Sequence, residues 1–293
     1  VLVAAIVPTL RFERPLWRAG LERVVGVDEV GVAPTCGAVV AAAVVMRPGC
    51  HRIPGVRDSK TLSAGQRERL APIIRRRAVA VGVGAASVAE IDRLNIYHAT
   101  HLAMRRAIAR LGSWDHVLVD GNRIAGFEAQ VGPYTAIVDG DARCYSIACA
   151  SVVAKVVRDR MMARLAARYP GYGWERNQGY ATREHRTAIR RLGLTPFHRR
   201  SFLALQRTLA GDQVSFDLFD EGDRSGSDDD GWFDGRVPFG GEPLPIHVGA
   251  ATDGADREEA DGPVIAGYGA MQRPGPPSDD ADQAHEDLRP TPG

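Results

Sequence analysis

Residues 24–43 read VVGVDEVGVAPTCGAVVAAA, and the parsing of this stretch decides the fold. An apolar, β-branched run from Val24 carries two adjacent acids, Asp28 and Glu29, into a turn marked by Gly31 and Pro34. A second apolar run follows at once. The stretch therefore predicts two strands, Val24–Glu29 and Cys36–Met46, antiparallel and joined by a short turn. Acids at the end of an apolar strand have no hydrophobic partner there and need some other compensation. For one such pair, the plain alternative is a hairpin whose acids face water.

Downstream, the polar cluster Asp58-Ser59-Lys60 lies in a loop, and Ser63 with Gln66 resembles a capping box opening a helix to about Arg77. Ala78–Ala86 reads as a third strand. Ser87 with Glu90 is a second capping signature, ahead of a long helix to about Leu111 whose Ile91, Leu94, Leu102, Ile108 and Leu111 favour one broad face. His116–Val119 and Tyr134–Val138 are short buried-type strands, ending in Asp120-Gly121-Asn122 and Asp139-Gly140-Asp141. A helix from Ser146 to about Arg168 is apolar nearly all round in its first half, as for a helix packed on a sheet. Its second half is basic (Lys155, Arg158, Arg160, Arg164, Arg168), a face suited to a phosphate backbone or simply to solvent. After the break at Pro170-Gly171-Tyr172-Gly173, two closing helices are expected over Thr182–Leu192 and Arg199–Leu209. The sum is an α/β domain over residues 22–210, a mixed five-stranded sheet flanked by helices, preceded by a loose lead-in segment, 1–21.

Net charge splits along the chain. Residues 211–293 carry 20 Asp/Glu against 5 Arg, whereas residues 1–210 carry 16 acids and 32 bases, so the overall +1 hides a body of +16 and a tail of −15. A basic body points to a polyanionic partner. The tail is rich in Asp, Gly, Pro and Ser and poor in aliphatics, a composition expected to be disordered. Of the 37 bases 35 are Arg, which leaves Lys60 and Lys155 as the two lysines. Four cysteines without a CxxC pair suit a reduced, cytoplasmic protein. No apolar run reaches the roughly 18–20 residues needed to span a bilayer, and the apolar start lacks the basic lead of a signal peptide.

Three strand ends thus carry carboxylates: Asp28-Glu29, Asp120 and Asp141. Each has a glycine within two residues, which lets the backbone turn sharply. If those strands are neighbours, four carboxylates converge, and their repulsion calls for Mg²⁺ or Mn²⁺, which prefer carboxylate oxygen and water. Two such ions, about 3.5–4 Å apart, suit phosphodiester hydrolysis. Successive strand residues face opposite sides, so Asp28 and Glu29 share one site only where the strand ends or distorts, as the nearby Gly31 allows. Asp139 reads as an exposed turn residue, and His198 as a structural, hydrogen-bonding histidine.

Six ordered motifs carry a family resemblance across residues 22–209. GVDEVG (26–31), DSKTLS (58–63), VLVDGN (117–122), GDARCYSIACASVVAKVVRDRMM (140–162), GYGWERNQGYAT (171–182) and HRRSF (198–202) resemble bacterial ribonuclease HII, a type 2 ribonuclease H. The resemblance implies the ribonuclease H fold. It also implies an endoribonuclease that hydrolyses the RNA strand of RNA–DNA hybrids and nicks duplex DNA 5′ of embedded ribonucleotides, leaving 3′-hydroxyl and 5′-phosphate ends. By position it makes Asp28, Glu29, Asp120 and Asp141 the metal-binding and catalytic carboxylates for two Mg²⁺ or Mn²⁺ ions. Tyr180 would stack on the deoxyribose after the junction, and Lys60 would lie near the scissile phosphate, with Lys155 inside another matched motif as a substrate contact. A role in ribonucleotide removal during DNA repair and in RNA primer removal during replication follows from the same likeness.

Two departures concern junction recognition. The family usually has Gly-Arg-Gly after the acids, reading the ribose 2′-hydroxyl; here the positions are Gly31, Val32 and Ala33, so no side-chain donor is present and a Cβ is added. Asn177-Gln178 replaces the more usual His-Lys ahead of Gly179-Tyr180. Both leave the carboxylates intact, which predicts retained hydrolysis with weakened single-ribonucleotide preference, as in a hybrid-preferring relative. A non-catalytic hybrid-binding protein, the reading from another class, is opposed by the presence of all four carboxylates. In the tail, Ser215-Phe216-Asp217-Leu218-Phe219 resembles the short peptide by which bacterial replication and repair proteins bind the sliding clamp, although it lacks the usual leading Gln.

Overall fold

A computed structural model describes residues 7–210. In chain order the elements are α1 (Glu13–Arg18), β1 (Val24–Val30), β2 (Val39–Met46), α2 (Ala64–Arg77), β3 (Ala78–Ala86), α3 (Val88–Ala109), β4 (His116–Asp120), α4 (Glu128–Val131), β5 (Tyr134–Ile137), α5 (Gly140–Arg143), α6 (Tyr145–Arg168), α7 (Trp174–Asn177), α8 (Arg183–Leu192) and α9 (Leu203–Ala210), with a 3₁₀ turn at Ser59–Thr61. Both capping boxes form: Ser63 with Gln66 opens α2, and Ser87 with Glu90 opens α3.

The five strands make one mixed sheet in the order β3-β2-β1-β4-β5. β1 is antiparallel to β2, with Asp28 opposite Ala42 and Glu29 opposite Ala41. It is parallel to β4, with Val27 beside Val119, and β4 is parallel to β5, with Asp120 beside Ile137. One step past the Val27–Val119 pair, the register brings Asp28 alongside Asp120. The two faces of the sheet follow the two-residue period. Val25, Val27, Val39, Ala41, Ala43 and Val45 join the core that holds α3, whereas Val40, Ala42, Val44 and Met46 join the core that holds α2 and α6.

Glycine sets how closely the helices approach. A Cβ on Gly26 of β1 would lie 2.2 Å from the main-chain carbon of Ser146, and one on Gly84 of β3 would lie 2.2 Å from the Ala103 carbonyl oxygen. α6 and α3 therefore rest on strand backbone, which no larger residue at these two positions permits.

The lead-in is not loose where it is described. Thr9 bridges to Cys144, and Glu13 of α1 is fully buried, its Oε1 accepting the Ser146 amide at 2.7 Å and the Cys144 thiol at 3.2 Å. The start of α6 has no side-chain cap of its own; Glu13 supplies one from outside the helix, and its negative charge suits a helix N-terminus. α3 is broken at Asn95, whose φ of 63° and ψ of 165° leave the helical region, and whose Oδ1 accepts the His98 amide at 3.2 Å. Among the described residues no helix is long and apolar enough to cross a membrane. The tail, including Ser215–Phe219, lies outside the described residues.

Candidate metal centre

Asp28, Asp120 and Asp141 come together at one end of the sheet, with ligand oxygens all within 4.8 Å of one another. Each owes its place to a different element. Asp28 has the strand parity of Gly26, so it faces α6 and the Ser151 hydroxyl, and its Oδ1 accepts the Glu29 amide at 2.8 Å. Asp120 is the last residue of β4, and its Oδ1 accepts the Gly140 amide at 2.6 Å. Asp141 sits in the first turn of α5, buried. The sharp reversal before it is made by Asp139, exposed and left-handed at φ 53°.

Glu29 stands apart from this triplet. β1 stays regularly paired through Val30, so the alternation holds and Glu29 has the parity of Val27, the α3 side. Its carboxylate nevertheless feels Asp120 and Asp141, and burial with those charges pushes its pKa up to about 7. Burial raises Asp28 as well, helped by Glu29, Asp120 and Asp141, and raises Asp120, helped by Asp141. Like charges held together in a partly dry site disfavour ionisation. Asp58, which caps the 3₁₀ turn, adds a further carboxyl near Asp141 and is itself raised by burial.

Lys60 reaches the cluster from that turn, its Nζ 3.2 Å from Asp141 Oδ2, with the side chain 79% exposed. Burial works against its charge, yet Asp141 prevails and its pKa is raised. The turn is anchored from beneath: Ser151 Oγ donates to Ser59 Oγ at 2.8 Å, both residues buried, which ties the lysine turn to α6. Arg67 holds the Ser59 carbonyl at 3.0 Å and Asp159 at 3.3 Å.

The remaining expected contacts fall in two groups. Gly31, Val32 and Ala33 form the turn after β1, with Gly31 at φ 94° and Ala33 exposed. The Tyr180 segment docks beside it, since Gly179 O accepts the Thr35 amide at 3.0 Å, and the Tyr180 side chain is 47% exposed. The basic half of α6, in contrast, is not a free cationic face. Lys155 is paired with Asp159 at 2.5 Å, Arg160 with Glu68, and Arg158 is 1% exposed. The Arg158 guanidinium donates to the carbonyls of Cys36, Ala38 and Gln178, which corrects its place on a phosphate-tracking face.

The substituted pair before Tyr180 is structural as well. Asn177 is buried and spans the Tyr172 carbonyl and the Gly179 amide, while Gln178 adopts φ 51° and offers its carbonyl to Arg158. His198 is buried, bonded through Nδ1 to the Thr195 amide and through Nε2 to His185. Burial and His185 push its pKa down to about 3. Sequence reasoning missed Ser59, Ser151, Arg199 and Asp58 as site residues. For Asp58, Ser59 and Ser151 the available signal was a polar residue inside a matched motif.

The donor set is all carboxylate oxygen, crowded, with Asp28 and Asp120 raised in pKa, which is the chemistry a hard divalent cation relieves. Residues 25–205 match the family model described as Ribonuclease HII. The chain belongs to the ribonuclease HII family. It is accordingly a ribonuclease H hydrolase, a class that acts on the RNA strand of RNA–DNA hybrids. The ribonuclease HII of Thermosynechococcus vestitus is 57% identical over 197 residues, covering 67% of this chain and 90% of that protein. The ribonuclease HII of Ruegeria pomeroyi is 52% identical over 205 residues, covering 69% and 85%. Among solved structures, the ribonuclease HII in the PCNA:RNase HII complex from Archaeoglobus fulgidus matches with a TM-score of 0.53 and 26% identity over 61% of this chain and 94% of that one. Ribonuclease H2 from Pyrococcus horikoshii shares the fold, with a TM-score of 0.52 and 24% identity over 64% and 98%.

Proposed function

We propose that this ribonuclease HII family member is a divalent-metal-dependent endoribonuclease that cuts the RNA strand of hybrids and nicks duplex DNA on the 5′ side of embedded ribonucleotides. The observation that carries the reading is the convergence of Asp28, Asp120 and Asp141 from β1, β4 and α5 within 4.8 Å. Asp28, Asp120 and Asp141 would hold Mg²⁺ or Mn²⁺, two ions per site, with Glu29 completing the ligand set from the opposite strand parity. Divalent ions, when bound, neutralise phosphate charge and acidify water.

The chain's own residues do the rest. Ser151, beside Asp28 on α6, donates to Ser59 and so ties the turn that presents Lys60 to the helix behind the cluster. Lys60 is exposed enough to reach a phosphate near the cluster, and its pairing with Asp141 keeps it there in the free protein. Lys155, already paired with Asp159, would meet substrate only by exchanging that partner. Tyr180, half-exposed and braced through Gly179 against Thr35, offers a stacking face beside the recognition turn. The products are a 3′-hydroxyl and a 5′-phosphate. The reading extends to a cytoplasmic role in ribonucleotide excision and primer removal during repair and replication.

A specific observation favours a second reading, a relative that prefers long hybrids: the position after Gly31 is Val32, with no side-chain donor. One assay separates the two. Purified full-length protein is incubated in Mg²⁺ and in Mn²⁺ with a DNA duplex holding one ribonucleotide and with an RNA–DNA hybrid. Cutting of both at similar efficiency supports the first reading, and cutting of the hybrid alone supports the second. No cutting of either would leave the proposal without its activity. The Ser215–Phe219 peptide, outside the described residues, is proposed to reach the sliding clamp; the solved PCNA complex of an archaeal ribonuclease HII supports such an association.

A further inference from the structure

The turn after β1 is held by two buried guanidiniums. Arg199, fully buried in the C-terminal segment, donates from Nη2 to the Gly31 carbonyl at 2.6 Å, from Nη1 to the Val32 carbonyl at 2.8 Å and from Nε to the Gly37 carbonyl at 2.8 Å. Arg158, from α6, takes the carbonyls of Cys36 and Ala38, each at 3.2 Å. The guanidinium of Arg158 also occupies the space beside Gly31, where a Cβ would lie 2.1 Å from its Nε. The segment that carries Arg199 is fastened to the same turn through its main chain: the Gly37 amide donates to Phe197 O at 2.8 Å and the Arg199 amide to Thr35 O at 2.9 Å.

This arrangement dictates where the turn's amides point. A trans peptide is planar, so its N–H lies opposite its C=O. The carbonyls of Gly31 and Val32 both address one buried guanidinium, and the N–H groups in the same two peptide units, those of Val32 and Ala33, therefore face away from it. In an extended strand two successive carbonyls would point to opposite sides. Here both are on one side, which Gly31 permits with φ 94°, so the two amides also share a side. Neither donates a hydrogen bond among the described residues. Two adjacent donors on one face of a turn form a small oxygen-binding concavity, and this one begins two residues after Glu29.

We infer that Arg199 is a positioning residue for substrate recognition: by drawing the Gly31 and Val32 carbonyls inward, it aims the Val32 and Ala33 amides at an oxygen of the RNA strand. The inference deepens the proposed function and rests on it. It makes recognition depend on main-chain donors fixed from the far end of the domain, and it explains how the turn works with no donor on residue 32. Arginine suits the task because its planar fork bridges two neighbouring carbonyls, which a lysine ammonium cannot do with the same geometry.

The test compares full-length parent and Arg199→Lys for binding to a fluorescent RNA–DNA hybrid and to an all-DNA duplex of the same sequence, by anisotropy in EDTA. The expected result is about tenfold weaker hybrid binding with unchanged affinity for the all-DNA duplex, in a protein that unfolds at a lower temperature than the parent, because buried carbonyls lose donors, but is still folded at the assay temperature. Equal hybrid affinity in the two proteins, or equal weakening on both duplexes, would overturn the inference. If Arg199→Lys does not fold, replacing Ala33 by its α-hydroxy acid analogue removes one amide donor while Arg199 stays in place. Selective loss of hybrid affinity is again expected, and unchanged affinity overturns the inference. Cleavage of the hybrid by the parent in Mg²⁺ is scored separately. Its absence counts against the proposed function, while the binding comparison still decides the role of Arg199.

Discussion

Asp28, Asp120 and Asp141 face one another within 4.8 Å, with Lys60 paired to one of them, whereas at the turn just past Glu29 the guanidiniums of Arg158 and Arg199, brought from distant parts of the chain, lie buried among main-chain carbonyls. Both regions gather buried charge. In the first the charges are alike and burial with mutual repulsion lifts the pKa of Asp28, Glu29 and Asp120. In the second each cation is surrounded by oxygen acceptors that need donors. The cluster is therefore the destabilised part, relieved by a divalent cation, and the turn is the satisfied part, which holds its shape with or without substrate. Charge crowding and main-chain anchoring are thus divided between the end of β1 and the turn that follows it.

The comparison breaks most visibly if one member of the cluster is neutralised. Asp28→Asn is expected to lower hybrid cleavage by about 10³-fold or more, since the several kcal/mol of charge stabilisation it helps to supply is lost at about 1.4 kcal/mol per tenfold. The metal-free variant is expected to melt at or above the parent temperature, because a buried repulsion disappears. A single-turnover cleavage assay and thermal unfolding in EDTA measure the two halves. Retained activity would remove Asp28 from the site.

The opposite outcome is expected in the turn. Arg158→Ala leaves the carbonyls of Cys36, Ala38 and Gln178 without a donor and opens a void beside Gly31, at a cost of about 3 kcal/mol in unfolding free energy. Denaturant unfolding reads this directly. An unchanged midpoint would mean that water replaces the guanidinium without loss.

The contrast also explains what was legible from sequence. β1, β3 and both capped helices follow from period, caps and glycine placement, and the acids after apolar runs announced the cluster, although Asp141 sits in α5 rather than at the end of β5. Four features were not legible. β2 begins at Val39 rather than Cys36, because Arg158 and Arg199 take the carbonyls of residues 36–38 and Cys36 bridges to His198. Arg158 read as part of a basic helix face and Arg199 only as the start of a closing helix, since only tertiary structure supplies carbonyl partners more than a hundred residues away. Glu13 is likewise buried by a contact with Ser146 that no local pattern announces. The break at Asn95 has no proline or glycine to mark it.

A smaller effect tests the cluster through pH. Glu29 is raised from 4.5 to about 7 in the folded protein. Between those values the folded state holds more protons than the unfolded state, so raising the pH through this window lowers stability, and the contribution present below pH 4.5 is gone above 7. The loss is expected to be on the order of 3 kcal/mol. It should appear in EDTA as the difference between the parent and Glu29→Gln followed from pH 4.5 to 7.5, and saturating Mg²⁺ should flatten it. A difference independent of pH would mean that Glu29 is not electrostatically part of the cluster.

The smallest effect concerns Val32 itself. Its side chain packs partly against the α3-side core, and its carbonyl is fixed by Arg199, so substitution changes the side chain while the amides stay aimed. Val32→Arg adds a donor next to the amides of residues 32 and 33 and removes a modest apolar contact. If the amides already supply most of the recognition, the gain is one exposed, charge-assisted hydrogen bond, worth about 1 kcal/mol or a fivefold rise in cleavage of a single-ribonucleotide duplex relative to a long hybrid. Competition between the two substrates in one tube measures that ratio without interference from protein concentration. A hundredfold gain would show that the parent turn reads its substrate poorly and that the side chain dominates. No gain would place the discriminating contact elsewhere on the domain, with Tyr180 the next side chain to change.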